Sequence, residues 1–160
     1  MAAGKLDARG VIVACPSCRQ NNRLPFTALT RSIRCASCKT SLTAPAGPIE
    51  AADSAAFRAA MADSALPLIV DFWAPWCGPC RMVAPEIERV AQGAAGRYLV
   101  LKVNTDALTD VAAEFRIQSI PTLAVVFHGR ELARVAGARS AADIRTFADQ
   151  AVAGSERRAS

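Results

Sequence analysis

A chain of 160 residues with 52% hydrophobic and 21% charged residues is long enough for one ordinary domain with a small appendage, which excludes a disordered or fibrous polymer. Its formal charge of +5 is unevenly spread: residues 1–48 carry seven Lys and Arg against Asp7 alone, and the remainder is close to neutral. No stretch approaches eighteen consecutive apolar residues, and the first ten residues lack an apolar leader and include Asp7. Neither a membrane span, a secretory signal nor a transit peptide is therefore expected, and the predicted compartment is the cytoplasm.

The first predicted unit covers residues 1–40 and contains two Cys-x-x-Cys pairs, Cys15/Cys18 and Cys35/Cys38, separated by sixteen residues. This spacing is that of a zinc ribbon, in which four thiolates hold one structural zinc ion with no open coordination position. Each pair follows a strand-like run, Val11–Ala14 and Arg31–Arg34. Two disulfides, or two more redox pairs, would also use four thiols. The first needs an oxidising compartment, and the second needs a helix after each pair, which the pattern does not provide. So few apolar residues cannot make a core alone, and bound metal is the expected source of stability. A basic ribbon can bind phosphates, but Phe26 is the one aromatic for stacking. The preferred reading is a solvated face whose arginines offset the tetrathiolate charge, and no nucleic-acid partner is expected.

Residues 41–48, rich in Pro, Gly, Ser and Thr, read as a linker. It is expected to insulate the larger unit from the ribbon, so that oxidation of the ribbon would release zinc without unfolding the rest. This second unit, residues 49–153, begins with a short strand at Ile49 and a helix over 54–62 capped by Asp53. Leu66 to Ala74 is an apolar run suited to a strand covered on both faces, interrupted by Asp71. A helix over 78–95 comes next, with Pro79 in its first turn and Pro85 predicted to kink it. Strand 98–104, helix 109–115, a hairpin turning at His128-Gly129-Arg130 and a last helix capped by Ser140 complete the pattern. Residues 154–160 read as a frayed tail. Alternating strands and helices give an α/β fold with a mixed sheet.

The chemistry concentrates in Trp73-Ala74-Pro75-Trp76-Cys77-Gly78-Pro79-Cys80, which places two thiols one turn apart where a strand becomes a helix. Cys77 lies at the helix N-terminus, where free N–H groups and the dipole favour a thiolate, the nucleophile of disulfide exchange. Cys80 can then attack a mixed disulfide formed at Cys77. Asp71, an isolated carboxylate in an apolar strand, should have a raised pKa and can take the proton from Cys80, directly or through water. A structural pairing of Asp71 with Lys102 is compatible with that role. No Ser-His-Asp arrangement, GxGxxG or Walker loop competes, and His128 is given no catalytic part.

Val70 to Cys80, Pro85, Lys102-Val103-Asn104-Thr105-Asp106, Ile117 to Leu123 and Val135-Ala136-Gly137-Ala138 together resemble the thioredoxin family, in its order and spacing, over about residues 50–153. The added zinc ribbon is similar to that of a bacterial subgroup. The resemblance implies a five-stranded thioredoxin fold, with Asp71 and Lys102 behind the thiols. It also implies a cis bond from Ile120 to Pro121, whose backbone offers hydrogen bonds to an extended peptide. Trp76, Gly78, Pro79, Ile120, Pro121, Ala136 and Gly137 then form the substrate surface, with Trp73 as packing. The implied activity is reduction of oxidised substrate proteins, with recycling by an NADPH-dependent thioredoxin reductase, in a monomeric chain with no organic cofactor. An oxidase or isomerase would use the same thiols, but Gly78 and Pro79 match the reducing members. A further alternative makes the ribbon a binding module and the larger domain its scaffold.

Overall fold

The computed structural model describes residues 4–159. It opens with three antiparallel strands, β1 (Lys5–Asp7), β2 (Gly10–Ala14) and β3 (Asn21–Pro25), lying in that order. Asp7 closes the first turn by accepting from the backbone N–H groups of Arg9 at 2.8 Å and Gly10 at 3.0 Å. Gly10 is required where β2 meets β3, because a Cβ there would lie 2.3 Å from the Leu24 carbonyl oxygen. A 3-10 turn, Phe26–Ala28, leads to a two-stranded ladder of β4 (Ile33–Arg34) and β5 (Ser41–Leu42). Ile33 pairs with Leu42 and Arg34 with Ser41, so the ribbon reaches two residues beyond its predicted end at residue 40.

The second part contains β6 (Ile49–Glu50), α1 (Ser54–Asp63), β7 (Leu68–Trp73), α2 (Gly78–Gly93) and β8 (Leu99–Asn104). It continues with α3 (Thr109–Glu114), β9 (Thr122–Phe127), β10 (Arg130–Ala136) and α4 (Ala141–Ala159). Its sheet has the order β10-β9-β7-β8-β6. Strands β6, β8 and β7 run parallel, β9 is antiparallel to β7, and β10 is antiparallel to β9. The mixed α/β sheet is the one the pattern predicts, and its five strands are those the resemblance implies.

Local chemistry accounts for the boundaries. Asp53 caps α1 by accepting from the Ala56 N–H at 2.8 Å. The β9–β10 turn falls on His128 and Gly129, both at positive φ (53° and 74°), the geometry that suits a tight hairpin. Helix α2 runs unbroken through Pro85, which is exposed on one side, so the hydrogen bond it removes lies toward water. Helix α4 continues through Gly154 to Ala159, a correction to the frayed tail predicted for residues 154–160. Val152 packs on the core, and Arg157 and Arg158 stand in the last turn, where cations suit the helix dipole.

Strand β7 divides the interior. Leu68, Val70 and Phe72 point to one face and Ile69 to the other, where Val83, Ile87 and Val90 of α2 and Ile144 and Ala148 of α4 meet it. The first face is shared with the ribbon: Leu6, Val11, Leu24, Phe26, Leu29, Leu42 and Ala44 belong to one continuous cluster with Phe57, Ala60, Leu66 and Leu68. The Ala65 N–H also donates to the Phe26 carbonyl at 2.9 Å. Residues 41–48 are thus not a free tether, since Leu42, Ala44 and Pro48 are buried. A chain beginning at Ile49 would uncover part of this cluster. Re-exposing the equivalent of one large side chain costs about 2 kcal/mol, so its melting temperature by circular dichroism should fall by roughly 5–10 °C. An unchanged melting temperature would show that the shared core contributes nothing.

Candidate active site and metal centre

The turn after β7 delivers both thiols to the start of α2. Cys77 is the N-cap residue and its Sγ accepts from the Cys80 N–H at 3.2 Å. Pro79 stands in the first turn, where its missing N–H leaves no acceptor unpaired. Cys77 and Cys80 are joined as a disulfide across a Cα–Cα distance of 5.3 Å, and both are buried. Gly78 and Pro79 between them are exposed, and no atom lies within 4 Å of where a Gly78 Cβ would stand.

Three loops surround the pair. The Ile120–Pro121 bond is cis, as expected, and the Ile120 carbonyl oxygen lies 3.8 Å from Cys77 Sγ. The Pro121 carbonyl accepts from the Gly137 N–H at 2.9 Å, which brings Ala136 and Gly137 beside it. Gly137 has φ of 96° and open space where a side chain would be, so the backbone there is accessible. On the other side Trp76, 68% exposed, donates its indole N–H to Asp106 at 3.0 Å. Arg81 steadies the same turn by donating to the Pro75 carbonyl at 2.8 Å. Of the seven predicted surface residues, Trp76, Gly78 and Pro79 adjoin the disulfide in the chain, Ile120 and Pro121 face it through the cis bond, and Gly137, next to Ala136, is hydrogen-bonded to Pro121.

Asp71 is 1% exposed on β7, and its Oδ1 has no hydrogen-bond partner among the described residues. Burial raises its pKa to about 6, against the lowering effect of Lys102 and with a smaller raising effect from Glu50. Lys102 is its register partner on β8, yet no ion pair joins them among the described residues. The Lys102 ammonium stands instead over the Trp73 ring, 4.8 Å from its centroid. A cavity of about 120 Å³ lined by Trp73, Ala74, Pro75, Cys80, Arg81, Ala84 and Lys102 opens beneath the start of α2. At roughly 30 Å³ per water, it has room for solvent next to Cys80.

The four remaining cysteines converge. Two knuckles repeat the same bonds: Cys15 N–H to the Gln20 carbonyl at 2.9 Å and Cys35 N–H to the Thr40 carbonyl at 2.8 Å. Arg19 and Lys39 hold matching positive φ angles of 65° and 66°. The four Sγ atoms lie within 4.8 Å of one another, with Cys15–Cys38 and Cys18–Cys35 at 3.6 Å. A tetrahedral ion with metal–sulfur bonds of about 2.3 Å sets sulfur–sulfur edges of about 3.8 Å, so these residues can hold a metal ion. Donors also point at the sulfurs. The Cys38 N–H, the Asn22 amide and the Ser37 N–H hold the Cys35 thiol below its ordinary pKa, which suits a thiolate ligand.

Sequence reasoning passes over several supporting residues. Asn22 donates to Cys35 Sγ at 3.4 Å and accepts from the Ala36 N–H at 2.9 Å, tying one knuckle to β3. Its sole signal is a polar residue at an inward position of an alternating strand. Trp73 is more than packing, since its indole N–H donates to Glu50 at 3.2 Å. Glu50 carries no sequence signal and Asp106 only its place in the family string, because both roles arise from strand and loop neighbours distant in the chain.

With a disulfide closing one helical turn beside a cis-proline loop, the class of protein follows from the site: it exchanges thiols and disulfides. Comparison with known proteins gives the family. The thioredoxin family model matches residues 48–150, and the chain belongs to that family of thiol–disulfide oxidoreductases. Thioredoxin 1 from Nostoc sp. is 50% identical over 82 residues, covering 51% of this chain and 77% of that one. Thioredoxin C-3 from Corynebacterium nephridii is 36% identical over 141 residues, covering 88% of this chain and 94% of its own, so that similarity extends into the cysteine ribbon. Among solved structures, Plasmodium falciparum thioredoxin superposes with a TM-score of 0.59 at 27% identity, over 63% of this chain and 96% of that one. Among the described residues no helix is long and apolar enough to cross a membrane.

The raised pKa of Asp71 has a sign that can be checked. A carboxyl whose folded pKa lies above its unfolded value stabilises the fold fully below the unfolded pKa, and that contribution is lost as pH rises through about 6. Asp71→Asn should therefore raise stability above pH 6, by on the order of 1–3 kcal/mol. The gain should vanish below about pH 4. Denaturant melts of both proteins across that range test it, and a destabilised Asn variant at neutral pH would contradict the account.

Proposed function

We propose that this protein is a cytoplasmic reductant of protein disulfides that acts through Cys77 and Cys80, carries one structural zinc ion, and is recycled by an NADPH-dependent thioredoxin reductase. The observation that carries the reading is the Cys77–Cys80 disulfide itself, seated at the N-terminus of α2 with the Cys77 sulfur 3.8 Å from the Ile120 carbonyl oxygen.

The Cys77 thiolate attacks one sulfur of a substrate disulfide. The other sulfur leaves as a thiolate and takes a proton from water, and a mixed disulfide remains at Cys77. Cys80 then gives its proton to Asp71, directly or through water, and its thiolate attacks Cys77 Sγ. The second substrate sulfur departs, two electrons have passed to the substrate, and the Cys77–Cys80 disulfide is the state seen here. Lys102 supplies a positive charge near the developing Asp71 and Cys80 charges. The substrate chain lies across Trp76, Gly78 and Pro79 on one side and Ile120, Pro121, Ala136 and Gly137 on the other. Its backbone bonds to Ile120, as an added strand would.

Zinc would be held by Cys15, Cys18, Cys35 and Cys38 and would supply cross-linking of the two knuckles. No step of the exchange uses it. The ion's role is to hold the ribbon against α1, whose Phe57 shares its core.

Two experiments test the proposal. Reduction of insulin by dithiothreitol should be accelerated by the protein and return to the uncatalysed rate with Cys77→Ser, whereas Cys80→Ser should accumulate mixed disulfides with substrate. Normal turnover by Cys80→Ser would overturn the assigned roles. Separately, the purified protein should contain one zinc per chain, and Cys35→Ser should lose it together with several degrees of melting temperature. A metal-free protein of unchanged stability would remove zinc from the proposal.

A further inference from the structure

Strands β6, β8 and β7 are adjacent and parallel, and their register sets Glu50 opposite Lys102 and Lys102 opposite Asp71. Register partners on neighbouring strands project to the same face. Trp73, two residues beyond Asp71 on β7, projects there as well. A carboxylate, an ammonium and a second carboxylate thus form one row across the sheet, below the cavity that reaches Cys80.

The row is not symmetric. The Trp73 indole N–H donates to Glu50 Oε2 at 3.2 Å, so the indole spans from its own strand over β8 to β6. The Lys102 ammonium lies over that indole ring, 4.8 Å from its centroid. Asp71, by contrast, has no ion-pair or hydrogen-bond partner among the described residues. The lysine is therefore shared: Glu50 and the Trp73 ring attract it from one side and Asp71 from the other.

We propose that Glu50 is a positioning residue for the exchange reaction, which anchors Trp73 and competes for Lys102 so that Asp71 is left without a direct ion pair and free to take the proton of Cys80. This rests on the reading of Asp71 under the proposed function. The competition is specific to geometry. A carboxylate on β6 reaches Lys102 because β6 is the edge neighbour of β8, and it meets the Trp73 N–H because the indole lies across the row. The electrostatics agree in direction. Partial burial raises the Glu50 pKa, opposed by the Trp73 bond and by Lys102, and Glu50 in turn raises that of Asp71. The other groups nearby do not alter this: β9 contributes the apolar Leu123 in register, and at the start of α2 Cys80 is held in the disulfide and the Arg81 guanidinium is bonded to the Pro75 carbonyl, so that Lys102 and Glu50 are the charges that act on Asp71.

Glu50→Gln keeps an oxygen for the Trp73 N–H and removes the charge alone. Adjacent strands lie about 4.8 Å apart, so Glu50 and Asp71 are separated by about 10 Å. Because Glu50 is only partly buried, at the edge of the sheet, a high effective dielectric applies, and the Asp71 titration should move down by about 0.3–0.6 pH unit. Lys102, released from Glu50, would add to the same direction.

The experiment follows the Asp71 carboxyl by carbon NMR in the full-length protein, and in parallel the pH profile of insulin reduction, for wild type, Glu50→Gln, Asp71→Asn and the double variant. The expected result is a lower Asp71 pKa in Glu50→Gln, an acid limb of the rate profile displaced by the same amount, and no further displacement when Glu50→Gln is added to Asp71→Asn. An Asp71 titration that moves by less than about 0.1 unit would overturn the proposal, as would a rate shift that persists without Asp71. If wild type fails to reduce insulin, the proposed function falls, and the NMR titration still decides the role of Glu50.

Discussion

Strand β7 is buried along nearly its whole length, and everything chemical in the larger domain hangs from its C-terminal end. Neighbours on both sides, β8 and β9, complete its ladder, so the strand is held in one register and one height relative to α2. The helix cannot shift without uncovering Val83, Ile87 and Val90 from the sheet. A disulfide that opens and closes at the start of α2 is thus moved by sulfur atoms and a few side chains, with the backbone held by the core. That is the preorganisation that exchange between two sulfurs one turn apart requires.

The same burial raises the pKa of Asp71. An ionised carboxylate in this position gives up its hydration, and its Oδ1 gains no hydrogen bond in return, so the fold bears an electrostatic cost at neutral pH. The cost is moderated by Lys102 but not removed, since no direct ion pair joins the two among the described residues. Lys102 resting over the Trp73 ring, with Glu50 bound to the same indole, is an arrangement that leaves the charge nearby but unpaired.

The cysteine ribbon enters this arrangement through packing. Its apolar residues lie in one cluster with α1 and the far face of β7, opposite the thiols. Four convergent sulfurs and two matched knuckles leave so little apolar surface inside the ribbon that the remainder of its core must come from α1. Burial against the larger domain therefore completes the ribbon's core, a metal held by the four sulfurs would cross-link its knuckles, and the ribbon packs on the sheet from the side away from the chemistry.

Much of this was written in the order of residues. The two Cys-x-x-Cys spacings, the third pair at a strand-to-helix junction, the Asp53 cap and the lone Asp71 are local signals, and each depends on residues within a turn or a knuckle of one another. The extent of α4 was less legible, because Gly154 and two arginines do not look helical until Val152 is seen to be packed. What the sequence by itself determined is the set of thiols, their pairing into two sites, and the alternation of strands and helices. Only the tertiary structure decided that Glu50 stands in register with Lys102, that Asp71 Oδ1 has no hydrogen-bond partner among the described residues, and that Leu42 and Ala44 are packed into a shared core. The reason is physical. Register between β6, β8 and β7 is set by the burial of both faces of the sheet at once, and contacts between segments some fifty residues apart have no trace in the spacing of either segment alone.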